Sequence, residues 1–257
     1  MNRTKVLRLV LATAAALAFA SPAALAKGPR PSRAVVAAVA DKSRPADDTT
    51  RDASRHPAEL LAFAGVKKGQ KIADYIPGSG YFTRVFAKTA GPKGHVYAVF
   101  PEFMAQFDKR DVDAIKLLVA DPGYANATFA TTANDSLSGL PPLDLVWTSN
   151  NYHDLQFGLS HDQILALDKS IYAALKPGGV FLVIDHVAAS GSGWTAARTL
   201  HRIEPEAIKA DMAEAGFKLD AESEVLRNPD DPHTAVIFDP SIRGKTDQVV
   251  LRFRKPK

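Results

Sequence analysis

From residue 56 onward the chain alternates between short apolar runs and longer stretches of helical apolar spacing. HPAELLAFAGV has helical spacing that stops at Gly65. Residues 71–75 form a strand-like run, residues 81–90 a helical one stopped by Gly91-Pro92, and residues 95–100 a second strand. A helix is predicted over 103–119, broken by Asp121-Pro122-Gly123, followed by strands over 128–132 and 143–149. Another helix over 163–175 ends at Lys176-Pro177-Gly178-Gly179, ahead of a continuous apolar strand over 180–187. A last helix spans 205–216. Strands separated by helices of this length pair in parallel, with crossovers on both faces, so the pattern predicts a doubly wound α/β sheet. The end differs: residues 218–225 and 248–254 read as strands with no helix between them, which predicts an antiparallel final pair.

The first 26 residues do not belong to this pattern. A basic head, an apolar run of about a dozen residues and the small-residue end Ala24-Leu25-Ala26 read as a secretory signal peptide cut before Lys27. The run falls short of the roughly 20 apolar residues that a span needs, so no membrane anchor is expected after cleavage. Residues 27–55, rich in Pro, Ala, Arg and Asp, are expected as a loosely ordered lead-in with one short helix over 34–40, and residues 56–257 as one domain. Loss of Arg3, Lys5 and Arg8 lowers the formal charge from +4 to about +1. The basic balance therefore carries no nucleic-acid signal, and no basic stripe interleaved with aromatics is present. With no cysteine there is no disulfide, thiolate ligand or thiol nucleophile. Export without a later hydrophobic span points to the periplasm or the medium.

The segment DYIPGSGYFT (Asp74 to Thr83) joins the first strand to a helix, the place where open α/β sheets bind ligands. Gly78 and Gly80 let backbone approach a ligand, and Asp74 offers an acceptor. Together with Asp144-Leu145-Val146-Trp147 entering the fourth strand and Leu175 to Gly179 before the fifth, this loop resembles the class I S-adenosylmethionine-dependent methyltransferases. The segments NNYHD, HRIEPEAIKADMAEAGF and DPSIRGKTDQVVLRFRKP narrow the resemblance to a group of exported bacterial proteins of that type. The resemblance covers residues 60–257. It implies a Rossmann-like, mostly parallel seven-stranded sheet with an antiparallel last strand, and S-adenosylmethionine as cofactor. Asp74, Gly78 and Gly80 match the family's first motif, with Ser79 and Tyr81 in the same loop.

Two positions depart from the family pattern. Ile76-Pro77 replaces the first glycine of the loop, and the second strand ends in Phe100 where the family has an acid that binds the ribose hydroxyls. A phenyl ring accepts no such bond, which leaves Glu102, two residues on, as the candidate, its other role being a helix-start carboxylate. Asn134 and Asp135, after the third strand, lie where the family meets the adenine, or else form a polar turn or cap. Asn150 closes the set of cofactor candidates.

Methyl transfer needs an acceptor near the sulfonium and, for a protonated acceptor, a base within hydrogen-bond reach. In Asn150-Asn151-Tyr152-His153-Asp154, Tyr152 is the candidate wall and His153 the candidate base, oriented by Asp154; the alternative is that His153 and Asp154 tie down the loop. His186 and His201-Arg202 are further candidates for the same pocket. The seven histidines show no metal-type spacing, so no metal is expected. The sequence has no GxSxG elbow and no phosphate-binding GxxxxGK[ST] loop. The expected function is an exported methyltransferase acting on a small molecule; the alternative is a non-catalytic protein that binds another ligand in the former cofactor pocket.

Overall fold

The computed structural model describes residues 28–257; the signal peptide expected over 1–26 lies outside the described residues. Four short helices lead in, α1 (Arg33–Val39), α2 (Ala46–Thr49), α3 (Asp52–Arg55) and α4 (Pro57–Ala64), before β1 (Lys71–Tyr75) and α5 (Tyr81–Ala90). Then follow β2 (His95–Pro101), α6 (Glu102–Phe107), α7 (Lys109–Ala120), β3 (Ala127–Thr132) and β4 (Leu143–Ser149). The chain continues through α8 (His161–Ala174), β5 (Leu175–His186), α9 (Ala197–Leu200), α10 (Pro205–Glu214), β6 (Lys218–Ser223) and β7 (Gln248–Arg254).

The strands form one seven-stranded sheet in the order β3-β2-β1-β4-β5-β7-β6. β1 to β5 pair in parallel, and β7 runs antiparallel to both β5 and β6, as the sequence pattern predicts. The order reverses between β1 and β4, so the loops after these two strands flank the switch point. Trp147 of β4, fully buried, anchors the core against Phe82 and Phe86 of α5 at ring-centroid distances of 4.7 and 5.1 Å. Below the site, Asp144 accepts from the Lys71 backbone N–H and pairs with Lys176, tying β1, β4 and β5 together at their entry ends. Among the described residues no helix is long and apolar enough to cross a membrane.

Two expectations are corrected. Residues 33–55, read as a loose lead-in, form three helices built onto the domain. Val35 and Ala38 of α1 are buried against α5, and Arg44 grips Asp52 through two bonds of 2.7 Å. Asp48 receives Arg51 and Arg84, and Tyr81 donates to Asp52 at 2.6 Å. These side chains pair across up to 36 residues of sequence, which local composition does not reveal. The single helix expected over 103–119 is two, because Asp108 leaves helical geometry at φ −98°, ψ 49°.

Candidate functional site

A cavity of about 310 Å³ opens at the carboxyl ends of β1 and β4, at the low end of the size range of ligand pockets. Its walls come from the loop after β1 (Ile76 to Ser79), the start of α5 (Tyr81, Phe82), the loop after β4 (Ser149 to Asn151, Asp154), the α6–α7 junction (Met104, Asp108, Asp111) and the α2–α4 segment (Arg51, Arg55). Of the residues expected to bind a cofactor, Asp74, Gly78, Ser79, Tyr81 and Asn150 line it.

The loop after β1 is held from below. Asp74 is buried and accepts from Thr83 Oγ1 at 2.6 Å. Burial raises its carboxyl to about 7, against the opposing effects of Thr83 and of the nearby Arg55 guanidinium. Ile76 sits at φ +57°, a conformation β-branched residues avoid, at the position where the family has glycine. It is pinned on both sides: its N–H donates to Val99 O at 2.8 Å, and its carbonyl accepts from Asn151 Nδ2 at 2.7 Å. Thr148 Oγ1 donates to Asn151 Oδ1, so Asn151 couples the β1 loop to the end of β4.

Gly78 at φ +54° keeps the loop open, and a Cβ there would stand 3.6 Å from Asp111 Oδ2. Gly80 is different. At φ +90° it starts α5, and a Cβ would come within 2.7 Å of Leu118 and 3.0 Å of Ile115. Its smallness serves the packing of α7, and it does not line the cavity.

Three further candidates lie outside the cavity wall. Glu102 is exposed in the first turn of α6 and outside the cavity wall. Asn134 accepts from the Phe103 N–H at 2.8 Å and so secures α6, and Asp135 is likewise outside the wall. Phe100 is fully buried and packs toward Phe129, so β2 supplies core where the family supplies a carboxylate. The carboxylates that do reach the cavity from this side are Asp108 and Asp111, one turn apart across the helix break. Partial burial, with Asp111 and Asp154 close by, raises the Asp108 carboxyl above its ordinary value. Sequence reasoning missed these two, and also Arg51 and Arg55. The helical i, i+4 spacing of the arginines was the available signal, obscured by their place in a Pro- and Ala-rich segment.

At the β4 end, Asn150 lines the cavity at φ +62°, and its buried Oδ1 has no hydrogen-bond partner. Tyr152, expected as a wall, turns into the core and donates to the buried Asp168 at 2.8 Å. His153 is fully buried, its Nδ1 2.7 Å from Asp185 Oδ1, while its backbone N–H donates to Asp185 Oδ2 at 2.8 Å. Burial alone would depress the imidazole. The carboxylates of Asp185 and Asp154 outweigh it and raise the ring to about 10, which favours the protonated ring over the free base expected there. Asp154 lines the cavity and accepts from or pairs with His201 Nδ1 at 3.1 Å. His186 bonds Thr246 at 2.7 Å, and Arg202 is buried on Asp231, so neither reaches the cavity.

No family model matches the chain. A crystal structure described as a SAM-dependent methyltransferase from Aquifex aeolicus superposes with a TM-score of 0.58 at 18% identity, covering 83% of this chain and all of that one. The chain has the class I methyltransferase fold. The same fold likeness extends to the [4+2]-cyclase SpnF, with a TM-score of 0.57, 16% identity, and 86% and 91% of the two chains covered. In sequence, the chain is 33% identical over 85 residues to protein-L-isoaspartate O-methyltransferase of Ignicoccus hospitalis. That match spans 33% of this chain and 36% of the curated relative, about a third of each.

Proposed function

We propose that this methyltransferase fold binds S-adenosylmethionine and transfers its methyl group to a small molecule outside the cytoplasm. The observation that carries the reading is the mixed charge of the switch-point cavity. Arg51 and Arg55 line it together with Asp74, Asp108, Asp111 and Asp154. S-adenosylmethionine combines a carboxylate with an ammonium and a sulfonium, and a cavity offering both signs of charge complements it. Arg51 and Arg55 would hold the carboxylate, the unpaired Asn150 Oδ1 the ammonium, and Asp108 and Asp111 the ribose hydroxyls in place of the acid missing from β2. When bound, the cofactor supplies an electrophilic methyl group. Gly78 leaves room at the loop, Asn151 fixes the loop against β4, and Asp154 at the cavity edge is the carboxylate placed to receive a proton from an acceptor. The partial sequence likeness to an O-methyltransferase supports the reading, and the N-terminal signal pattern supports export to the periplasm or medium.

Phe100 favours a second reading, in which the fold binds another envelope ligand without chemistry. Folds of this kind host more than one activity. Incubation with methyl-labelled S-adenosylmethionine and a small-molecule extract of the cell envelope tests the choice. Label transfer that depends on the protein and is lost in Arg55→Ala supports the methyltransferase. Absence of both retention of the labelled cofactor by the protein and transfer to any fraction supports the second reading.

A further inference from the structure

Beside the cavity, three side chains from two loops converge, and the function above uses Asp154 alone among them. One ring nitrogen each from His153 and His201 and one carboxylate oxygen of Asp154 all lie within 4.8 Å of one another. Asp154 Oδ1 is 3.0 Å from His153 Nε2 and 3.1 Å from His201 Nδ1. The first of these contacts is too poorly aligned to be a hydrogen bond, and Nε2 of His153, on a side chain only 1% exposed, has no hydrogen-bond partner. A buried ring nitrogen whose contact to a carboxylate falls short of a hydrogen bond is costly unless something else completes it.

The other side of the same ring is fully engaged. Asp185 accepts from His153 at both Nδ1 and the backbone N–H, which fixes the ring and aims Nε2 at Asp154 and His201. A carboxylate behind one nitrogen of a histidine whose other nitrogen points at further ligands is the arrangement that orients metal-bound imidazoles. His201 is set from a separate element. It takes φ +53° at the end of α9 and is packed between Phe157 and Phe238, with centroids 5.0 and 4.9 Å away, which gives the cluster an apolar flank.

We propose that His153 Nε2, Asp154 and His201 Nδ1 bind one divalent first-row transition-metal ion. Two imidazoles and one carboxylate form a mixed donor set that suits zinc or iron over magnesium or calcium, which prefer oxygen ligands. Ligand atoms about 2.0–2.2 Å from a tetrahedral ion sit roughly 3.3–3.6 Å apart, so the 3.0 and 3.1 Å spacings to Asp154 need only small adjustments. Ion binding releases any proton on the two ring nitrogens to solvent. Three protein ligands leave a fourth position, and Asp154 places the ion at the cavity border, where an oxygen, nitrogen or sulfur atom of a substrate can complete the coordination.

The test is calorimetric titration of purified, chelator-treated protein with Zn²⁺ in the absence of any nucleoside, so its outcome is independent of the cofactor reading. One ion per chain at micromolar affinity or tighter is expected. His201→Ala and Asp154→Asn, both on partly exposed side chains, each weaken it at least 30-fold. His161→Ala, at a surface histidine paired with Asp211, leaves it within twofold. Cobalt(II) in place of zinc gives the visible absorption of a four- or five-coordinate nitrogen- and oxygen-ligated ion, and His201→Ala removes it. No binding at 1 mM Zn²⁺, or binding that survives both His201→Ala and Asp154→Asn, overturns the proposal.

Discussion

The two loops that form the cavity are built on opposite terms. In the loop after β1, beyond the unpartnered Tyr75 hydroxyl at the strand end, the polar groups are satisfied: Asp74 by Thr83, the Ile76 carbonyl by Asn151, and Tyr81 by Asp52. At the β4 end two buried polar atoms, Asn150 Oδ1 and His153 Nε2, make no hydrogen bond, the latter having only a misaligned 3.0 Å contact to Asp154. The first loop is a finished scaffold and the second is completed only by what binds there. Structural hydrogen bonding stabilises the protein in the absence of ligand, whereas unpaired buried groups hold stability in reserve for recognition.

The largest effect expected at the finished end is on pH dependence. The folded value of Asp74, about 7, lies above the ordinary 3.8. Between these values the folded chain keeps a proton that the unfolded chain has lost. The contribution to stability is therefore complete below about pH 4 and is lost as pH rises through 7. Asp74→Asn should flatten the fall in stability over this window, a change of up to about 4 kcal/mol, measured by urea unfolding at a series of pH values. A fall of unchanged slope in the variant would place the titration elsewhere.

Gly80→Ala drives a methyl into Leu118 at φ +90° and should destabilise by about 2–3 kcal/mol, read from the same unfolding curves. Asn151→Ala strips partners from the buried Ile76 carbonyl and the Thr148 hydroxyl and should cost about 2 kcal/mol. The neighbouring substitution sharpens the contrast. Asn150→Gly suits φ +62° and removes an unpaired acceptor, so it should leave stability equal or higher by about 0.5 kcal/mol while weakening cofactor binding at least tenfold. If Asn150→Gly instead destabilises as much as Asn151→Ala, the distinction between the two loops fails. The smallest effect is expected at Glu102, where Ala should change cofactor affinity less than twofold, against about tenfold for Asp111→Asn.

The sheet was legible because its central strands β1, β2, β4 and β5 are apolar runs between turn residues, and the antiparallel end because no helix separates its last two strands. The position of the site was legible too, since the loop after the first strand of such a sheet faces the switch point. What stayed hidden depends on side chains distant in sequence. The α2–α4 segment is ordered by Arg44–Asp52 and Arg84–Asp48 pairs, and its composition reads as unstructured. The break at Asp108, which turns Asp108 and Asp111 toward the cavity, interrupts an apolar pattern that fits one continuous helix. Tyr152 and His153 lie between cavity residues along NNYHD, and their inward direction was set by Asp168 and Asp185, 16 and 32 residues away.

The central claim is that Asp108 and Asp111 stand in for the acid that Phe100 displaces, so that the cavity holds S-adenosylmethionine. Calorimetric titration of the chain from Lys27 with S-adenosylmethionine, then with S-adenosylhomocysteine, tests it most directly. The account predicts micromolar binding of both, weakened about tenfold in Asp111→Asn. Absence of heat at millimolar ligand, with the fold intact by circular dichroism, would contradict it.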